Sequence, residues 1–515
     1  MEVDVGAFSN AQPQAHIDSS LTSSLRPQII TSQSTTVDLH KITGPVHLAG
    51  IGGIGMSALA RILLQRGHKV SGSDKAASHI TEELKEMGAE IFIGHQAENL
   101  ASAGALIIST AIVDGNPELE EAKRRGLPVW HRSELLAYLA EGDKMVAITG
   151  THGKTTTTAM VGQALIECGL DPSIVVGGIF HHIGSNSRLG KGGYFVAESD
   201  ESDGTHIRSF PHISVITNIE ADHLENYPGG LEQILSTMVK FLSQTKAMSI
   251  VCTDDKGCRD LLERASSEVV KAKIVTYGTQ IASNSQNSSA AQPNYGPDYG
   301  MTSLPGFEMQ VYQSGKLLGS MTMKVPGEHN KMNALAAVAV AMELGKSFDE
   351  VSAALSTFAG VDRRFQMIGE KGGITVVDDY AHHPTEVTAT LKAAQEYLRV
   401  TRTTLGKEKG RVVCLFQPHQ PARLRDLWQE FSESFTEADL VLLADVYIAR
   451  GGKIEGIDSE HFVKAIKHDN AHHLSGPTTE LATKLLPYLQ PGDLLLTVGA
   501  GDVTNVGSQL LPLLQ

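Results

Sequence analysis

The chain has 515 residues, of which 41% are hydrophobic, and a formal net charge of −15. With ~150 residues for a typical domain, this length predicts about three globular domains. The acidic balance argues against a nucleic-acid partner bound through a broad basic surface, but it is compatible with a nucleotide held by local positive groups. No apolar run approaches the ~18 residues of a membrane span, so we expect no membrane partner.

The cysteines and the N-terminal sequence indicate in which cellular compartment the protein works. The four cysteines show no C-x-x-C spacing, which favours free thiols in a reducing environment. The N-terminus lacks the basic and apolar regions of a signal peptide. Residues 1–40 are rich in Ser, Thr and Gln, which predicts a mostly disordered extension. We therefore expect a soluble, cytoplasmic protein.

The sequence of residues 41–142 predicts a first α/β domain with a glycine loop after its first strand. A strand over residues 45–49 leads into a full G-x-G-x-x-G motif, residues 50–55, and a helix and a second strand follow. The second strand ends in Ser73 and Asp74, which completes a Rossmann fingerprint. NAD with Asp74 on its ribose is the obvious interpretation, but these glycines serve any pyrophosphate.

Two further strands, residues 90–93 and 105–111, extend this first sheet. His95 follows the earlier of them, at the carboxyl end of a strand, where ligands bind in such sheets. A single residue at such a position is more often ordinary loop chemistry.

Residues 143–358 predict a central domain organised around a phosphate loop. An apolar strand runs into residues 150–155, of sequence G-T-H-G-K-T, and a long helical pattern follows. Backbone N–H groups and the helix N-terminus can bind phosphate oxygens, Lys154 can span them and Thr155 can hold Mg²⁺. The loop is shorter than the common G-x-x-x-x-G-K-[ST] motif, which would need Gly where Ile148 stands.

Acidic residues follow two further strands of this domain. Residues 198–203, after a strand over 194–197, contain four acids in six positions. Residues 220–223, after a strand over 213–219, read Glu-Ala-Asp-His. A solvated turn would account for either segment alone, but together they favour Mg²⁺, which prefers carboxylate and hydroxyl oxygens.

The sequence at the end of the central domain predicts an insertion, a hairpin and a helix. Residues 279–300 are rich in Asn, Ser, Gln and Pro, which predicts a surface insertion. Alternating segments over 307–312 and 316–325 predict a β-hairpin. Residues 327–334 open an Ala-rich helix. Three polar residues near its start are either caps or ligand contacts: His329, Asn330 and Asn333.

Residues 359–515 predict a third domain with a second Rossmann-like parallel sheet. A polar, basic hinge over 361–365 precedes it. Polar residues again follow its strands, which we predict over 373–377, 411–416, 439–444 and 494–498. The pairs His382-His383 and His472-His473 raise the possibility of a transition-metal site, although no further soft ligands support it.

In their order along the chain, these motifs resemble the Mur ligases over residues 44–515. The glycine loop 50–57 and the phosphate loop 150–157 are similar to those of members that add L-alanine. Further segments of the same pattern follow in order: residues 198–203, 218–223, 327–333, 362–365, 378–386 and 417–423. The resemblance implies an N-terminal Rossmann-like UDP-binding domain, a central P-loop ATPase-type α/β domain and a C-terminal Rossmann-like amino-acid-binding domain.

The family resemblance also implies the reaction and the cofactors. With ATP and Mg²⁺, the lactyl carboxylate of UDP-N-acetylmuramate would become an acyl phosphate, which L-alanine would attack in peptidoglycan precursor synthesis. Lys154, Glu198 and His223 would be catalytic, and the metal would be held by Thr155, Glu198 and His223. ATP would contact Gly150, Thr151, His152, Gly153, Lys154, Thr155, Thr156, His329, Asn330, Asn333, Arg364 and Asp379.

The other two substrates map onto the outer domains. The resemblance places the UDP-sugar at Gly50, Gly52, Gly53, Gly55, Met56, Ser57, Ser73, Asp74, His95, His182 and Asn186. L-Alanine would lie among Tyr380, His382 and Arg423, and Arg423 would pair with its carboxylate. One departure is Gln420, where many members have Arg.

Three alternatives stay open at this point. A murein-tripeptide recycling ligase, or another Mur ligase, would use a different acceptor. An NAD-dependent oxidoreductase would rest on the first glycine loop alone, and the phosphate loop with its acids argues against it. A nucleotide-regulated binding protein without catalysis is disfavoured by intact Lys154, Glu198 and His223.

Overall fold

The structure is a computed structural model that describes residues 37–265, 269–281, 296–405, 410–449 and 452–514. Three sheets follow one another along the chain, which confirms the predicted α/β architecture. Most of the predicted N-terminal extension, residues 1–36, and residues 282–295 of the predicted insertion lie outside the described residues. Val37 and Leu39 are buried in the core of the first domain.

The first sheet is parallel throughout, with strand order β3-β2-β1-β4-β5. The order reverses beside β1, so the glycine loop after β1 lies at the switch point where ligands bind. Its elements are β1 Val46–Ala49, α1 Ile54–Gln65, β2 Val70–Asp74, α2 His79–Glu86, β3 Glu90–Ile93, β4 Ala105–Ile108, α3 Pro117–Arg125, β5 Val129–His131 and α4 Arg132–Leu139.

The central sheet has ten strands in the order β15-β14-β13-β12-β11-β10-β6-β9-β7-β8. Its elements begin with β6 Lys144–Thr149, α5 Lys154–Glu167, β7 Ser173–Phe180, β8 Ser185–Arg188, β9 Tyr194–Glu198, β10 Ile213–Ile216, α6 Gly230–Gln244 and β11 Met248–Cys252. They continue with α7 Lys256–Arg264, β12 Lys273–Gly278, β13 Tyr299–Ser303, β14 Glu308–Gln313, β15 Lys316–Thr322, α8 Glu328–Glu343 and α9 Phe348–Ser356. Strands β14 and β15 pair antiparallel, which confirms the predicted hairpin.

The third sheet has six strands in the order β16-β17-β21-β18-β19-β20, and only β16 is antiparallel to its neighbour. Its elements are β16 Gln366–Lys371, β17 Ile374–Asp379, α10 Pro384–Leu405, β18 Val412–Phe416, α11 Pro421–Asp426, α12 Trp428–Ser432, β19 Leu440–Leu443, α13 Ser459–Phe462, β20 Ala471–His473, α14 Thr478–Leu485, β21 Leu494–Val498 and α15 Thr504–Leu510.

Strand order brings the predicted loops of the central domain together. Strand β6 lies between β10 and β9, and all three run parallel. The phosphate loop, the acids after β9 and the segment after β10 therefore leave the sheet side by side. Strand β10 ends at Ile216, before the predicted end, because Thr217 and Asn218 bond to the phosphate loop.

Some elements were not predicted. Strands β7 and β8 extend one side of the central sheet, and β16 and β20 form the two edges of the third. Of the helices in the described ranges, none combines the length and the apolar character needed to span a membrane.

Candidate active site

Gly150 and Gly153 give the phosphate loop a conformation that other residues rarely adopt. Their φ angles are +128° and +80°. A Cβ atom at Gly150 would meet the Thr217 hydroxyl and lie 2.8 Å from the Asn218 carbonyl oxygen. The Thr217 hydroxyl donates to the His152 carbonyl at 2.6 Å. Only glycine fits at position 150, because the loop is packed against the segment after β10.

Lys154 is folded back over its own loop. Its Nζ donates to the carbonyl oxygens of Gly150 at 2.7 Å and Thr151 at 3.2 Å, and to Glu201 Oε1 at 2.9 Å. Burial lowers the pKa of this lysine, but the charges of Glu201 and Asp200 outweigh it and raise the pKa. Lys154 is therefore a charged group at the centre of the loop.

The acids after β9 surround this lysine. Glu198 accepts a hydrogen bond from the Gly177 N–H at 2.5 Å, and burial raises the pKa of its carboxyl group. The side chain of Thr155 favours the charged form of the same group, but burial outweighs it. A Cβ atom on Gly177 would lie 2.8 Å from Glu198 Oε2, so a larger residue would crowd this site. Burial also raises the pKa of Glu201. Such acids are suited to a bound cation, which would stabilise their charged forms.

Arg132, at the start of α4 in the first domain, was not predicted. It reaches Asp200 Oδ2 at 2.7 Å and lies 4.0 Å from a Cβ atom built on Gly55. It therefore links the glycine loop of the first domain to the acids of the central domain. Arg132 lies outside the recognised motifs, so no sequence pattern indicated it.

His223 lies after β10 in a left-handed conformation with φ +54°. Its ring nitrogens are 3.4 Å from Asp222 Oδ2 and 3.7 Å from Glu225 Oε1. Burial opposes protonation of His223, but these two acids raise its pKa. Arg423 of the third domain lies 3.8 Å from Asp222 Oδ1. The structure thus brings His223 and Arg423 together from two domains.

The N-terminus of α8 packs against the phosphate loop. Asn333 Oδ1 accepts a bond from the Thr157 hydroxyl at 3.1 Å and lies 2.8 Å from a Cβ atom built on Gly153. Asn330 donates to the Pro326 carbonyl at 2.7 Å. The cap residue is Gly327, without a side-chain cap bond, so the asparagines do not serve as N-caps.

His329, at the same helix terminus, is close to the third domain. Burial, and then the charge of Arg364, lowers the pKa of His329 to about 4. A cavity of about 930 Å³ opens here between the central and third domains, and its wall includes His329, Gly327 and Lys392. A neutral imidazole beside a cavity of this size suits contact with a planar, uncharged ligand group.

Asp379 fixes two turns of the third domain. Its carboxylate accepts the N–H groups of Phe365 at 2.7 Å and Ala381 at 2.8 Å, and the Thr390 hydroxyl at 3.1 Å. Burial raises the pKa of Asp379 to about 6. Next to Phe365, the guanidinium carbon of Arg364 lies 5.1 Å from the centre of the Tyr380 ring. Asp379 therefore holds the turn that carries Arg364.

The residues predicted for the amino acid form one aromatic and basic group. The rings of Tyr380 and His382 meet edge to face at 5.1 Å. Burial lowers the pKa of His382 to about 3, and the charge of Arg423 contributes in the same direction. Gln420, the predicted departure, has φ +71° and donates its N–H to the Tyr447 carbonyl at 3.0 Å.

In the first domain, Asp74 supports the glycine loop directly. Its Oδ2 accepts the Gly52 N–H at 2.9 Å, and the Ser73 carbonyl accepts the N–H groups of Gly50 at 2.8 Å and Ile51 at 2.9 Å. Asp74, the residue expected on the ribose of NAD, therefore already accepts a hydrogen bond from the glycine loop.

Ser73 and His95 meet at Glu118, which was not predicted. Glu118 Oε2 accepts the Ser73 hydroxyl at 2.7 Å and lies 3.0 Å from His95 Nδ1. Asn99 donates to Glu118 Oε1 at 2.7 Å. Burial opposes ionisation of Glu118, but contacts from His47, Asn99 and Ser73 hold its pKa at about 2. A fully buried carboxylate thus orients two predicted UDP contacts.

Asn186 joins the first and central domains. Its Nδ2 donates to the Ile54 carbonyl at 2.7 Å and the Ser57 hydroxyl at 2.8 Å, and its Oδ1 accepts Arg61 Nε at 3.1 Å. His182 lines a cavity of about 460 Å³ beside this junction, 3.2 Å from Glu167. The remaining predicted residues lie in the two loops or at the starts of the helices that follow them. They are Gly53, Gly55, buried Met56, Thr151, whose hydroxyl accepts the Glu220 N–H at 2.9 Å, and buried Thr156.

Three family models match the chain. They are the Mur ligase family catalytic domain over residues 45–144, the Mur ligase middle domain over residues 148–341 and the Mur ligase glutamate ligase domain over residues 363–501.

Curated relatives and solved structures agree with these matches. The UDP-N-acetylmuramate–L-alanine ligase of Geobacter sulfurreducens is 42% identical over 474 residues, which covers 91% of this chain and 97% of that protein. The ligase of the same name from Pelotomaculum thermopropionicum is also 42% identical, over 90% of this chain and 96% of its own length. The crystal structure of UDP-N-acetylmuramate-alanine ligase MurC from Thermotoga maritima superposes with a TM-score of 0.75 at 28% identity, covering 91% of this chain and 98% of that chain. Because three Mur ligase models match successive segments and relatives are 42% identical over nine-tenths of the chain, the chain belongs to the Mur ligase family.

Proposed function

We propose that this protein is an ATP-dependent ligase that joins L-alanine to the lactyl carboxylate of UDP-N-acetylmuramate, with release of ADP and phosphate, in peptidoglycan precursor synthesis. The observation that carries the proposal is the convergence of Lys154, the buried acids and Arg423 at one edge of the central sheet. Relatives that match nine-tenths of the chain bear the name of this reaction.

The chemistry explains why a phosphate loop serves amide formation. A carboxylate is a poor electrophile, so its oxygen first takes the γ-phosphoryl group of ATP, which breaks the bond to ADP. The amine of L-alanine then attacks the carbonyl carbon of this acyl phosphate, loses a proton and expels phosphate. Phosphoryl transfer depends mostly on positioning and charge neutralisation. We assign these roles to Lys154, at the β- and γ-phosphates, and to the loop N–H groups.

We propose Mg²⁺ as the cation of this site. Thr155 directly follows Lys154 at the start of α5, and the charge of Glu198 acts on the same lysine. The raised pKa of buried Glu198 fits a position that a cation would stabilise. His223 would help to bind a second ion. When bound, Mg²⁺ neutralises charge on the transferring phosphoryl group.

The third domain would complete the nucleotide and amino-acid sites. We assign His329, Asn330 and Asn333 to the adenine side, next to the cavity of about 930 Å³. Arg364 would reach the nucleotide from a turn that Asp379 holds. Arg423 would pair with the carboxylate of L-alanine, near Tyr380 and His382.

The first domain would hold the UDP handle of the sugar substrate. The glycine loop at its switch point suits a pyrophosphate, and Ser73 and His95 suit the uridine. His182, on the cavity of about 460 Å³, would face the sugar. We propose that the partners are these small molecules and that the reaction takes place in the cytoplasm, where ATP is available.

An acceptor screen tests the reaction. Phosphate release should require ATP, Mg²⁺ and UDP-N-acetylmuramate together, and it should respond to L-alanine rather than to a murein tripeptide. Turnover with the tripeptide and none with L-alanine would replace the proposal with the recycling ligase.

The Lys154→Ala variant tests the assigned site. Loss of a charge-stabilising group of this kind costs on the order of 10²–10³ in rate, so phosphate release should fall by at least that factor. Binding of the UDP-sugar should stay near the wild-type value, because we assign its UDP handle to the first domain, away from Lys154. Lys256→Ala, which removes an exposed side chain at the start of α7, is the control and should change neither quantity. An equal loss of both in Lys154→Ala would show that the loop is misassigned.

A further inference from the structure

Three metal-binding side chains converge where the phosphate loop meets the third domain. They are His152 in the loop, Glu220 after β10 and His383 just before α10, and one donor atom from each lies within 4.8 Å of the others. His152 Nε2 is 3.5 Å, and His383 Nδ1 is 4.0 Å, from Glu220 Oε2. The two imidazole rings are 4.9 Å apart at an angle of 39°. These residues are separate from the cation site at Thr155 and Glu198.

Two ring nitrogens of this cluster are buried without a hydrogen bond. Among the described residues, neither His152 Nε2 nor His383 Nδ1 has a hydrogen-bond partner. The side chain of His152 is 12% exposed and that of His383 is 8% exposed. Both nitrogens face Glu220 Oε2, at distances longer than a typical hydrogen bond. A buried polar atom that makes no hydrogen bond costs about 1–3 kcal/mol, so two of them beside one carboxylate suggest a site for a cation.

The remaining nitrogen of His152 is already oriented. His152 Nδ1 lies 3.1 Å from Glu386 Oε1, the first carboxylate of α10. In metal sites, a histidine ligand typically gives its other ring nitrogen to a carboxylate, which fixes the ring and strengthens it as a ligand. Glu386 thus occupies the position of a supporting carboxylate.

We propose that His152 Nε2, His383 Nδ1 and Glu220 Oε2 form a site for a divalent transition metal of the Zn²⁺ type, with one coordination position left open. Two imidazoles and one carboxylate are typical of Zn²⁺ and its neighbours, whereas Mg²⁺ sites consist mostly of oxygen ligands. Tetrahedral coordination places donor atoms roughly 3.4 Å apart, so shifts of less than about 1 Å would complete the site.

The site joins two domains. His152 and Glu220 belong to the central domain and His383 to the third, and the Thr385 hydroxyl bonds to Glu220 at 3.1 Å across the same boundary. A bound ion would tether the third domain over the phosphate loop. If the protein is the ligase proposed above, domain opening releases products, so the ion should act as an inhibitor in the presence of excess Mg²⁺.

Binding of Co²⁺ to the chelator-treated full chain tests the site without any substrate. In millimolar Mg²⁺, titration should give one equivalent of bound Co²⁺ with the intense visible absorption of four-coordinate N/O ligation, and Zn²⁺ should displace it. His383→Ala and Glu220→Gln should each weaken binding at least tenfold. Glu386→Gln should weaken it by about 10–100-fold, as expected for a supporting carboxylate. His472→Ala, on the edge strand β20, is the control and should bind as the wild type does.

The outcomes separate this inference from the ligase proposal. Equal Co²⁺ affinity in the wild type and in both ligand variants, or no binding in Mg²⁺, would overturn the site even if phosphate release depends on L-alanine. Stoichiometric Co²⁺ binding by the wild type that is lost in folded Glu220→Gln or His383→Ala would support the metal site. This holds even if L-alanine does not stimulate phosphate release. Circular dichroism identifies which variants are folded.

Discussion

At the scale of single residues, Glu118 is a buried side chain in a segment whose sequence is typical of an exposed helix. It lies in the segment Pro117–Arg125, where two further acids and three basic residues suggest a solvated helix. In the structure its side chain is fully buried and bonds to Ser73, Asn99 and His95. A buried carboxylate is stable only when its hydrogen bonds favour the charged form, and here they do.

The pH dependence of stability follows from the lowered pKa of Glu118. A carboxyl group whose pKa falls from 4.5 to about 2 on folding stabilises the fold above pH 4.5, and this contribution is lost as pH falls toward 2. Glu118→Gln should therefore lower the free energy of unfolding at pH 7 by on the order of 2 kcal/mol, and the deficit should shrink at pH 3. Denaturant unfolding at both pH values measures this.

The control for Glu118 is an acid on the same helix. Glu120→Gln removes an exposed carboxylate whose ion pair with Lys123 spans 3.0 Å, and such pairs contribute little. It should change stability by less than about 0.5 kcal/mol at either pH. A pH-independent deficit in Glu118→Gln would contradict the assigned charge.

At the scale of elements, the phosphate loop is shaped by the strand beside it. Its hydrogen bonds run to Thr217 and Asn218 after β10, and Asn333 of α8 closes it from the helical side. The sequence indicated the loop, because the G-T-H-G-K-T segment carries its own chemistry. The family resemblance implied that Asn333 shares the ATP site with this loop and included Asn218 in its pattern. It did not indicate their hydrogen bonds to the loop and to α5, which depend on the strand order and the helix packing.

Gly150→Ala tests this packing. A φ of +128° together with contact against Thr217 and Asn218 leaves no room for a methyl group, so the variant should lose several kcal/mol of stability or its ATP binding. Thermal unfolding and nucleotide titration measure the two effects. Gly169→Ala is the control, since Gly169 has φ +76° with open space around its Cβ position and should cost only about 1 kcal/mol. Equal losses in both variants would show that the loop is not tightly packed.

At the scale of the whole molecule, a few buried polar residues fix the domains against one another. Asn186 is fully buried, and its amide connects β8 of the central domain to α1 of the first. Arg132 and Asp200 form a second link between the same domains. Contact with UDP-sugar stays a prediction for Asn186, but its hydrogen bonds already give it an interdomain role.

Asn186→Ala should uncouple these domains. The variant loses three buried hydrogen bonds, to Ile54, Ser57 and Arg61, which should cost about 2–4 kcal/mol. Calorimetry should show the first domain unfolding at a lower temperature than the rest. Ser187→Ala, on the same strand, removes a buried hydroxyl with no hydrogen-bond partner among the described residues and should have little effect. A single unshifted transition in Asn186→Ala would contradict the interdomain role.

The sequence by itself determined the repeated strand–loop–helix pattern, the two glycine-rich loops and the acids after β9 and β10. These features are local, because a parallel strand, a phosphate-binding turn and a helix N-terminus each need particular residues within a few positions. On that basis the three α/β domains and the family were predictable, and so was the hairpin of β14 and β15.

Only the tertiary structure decided which groups are buried and which residues meet across domains. Glu118, Asn186 and the cluster of His152, Glu220 and His383 draw their partners from segments up to 234 residues apart, where no local pattern links them. Burial then determines the pKa values of these groups. In the absence of water, each hydrogen bond and each nearby charge has a larger effect on the protonation state.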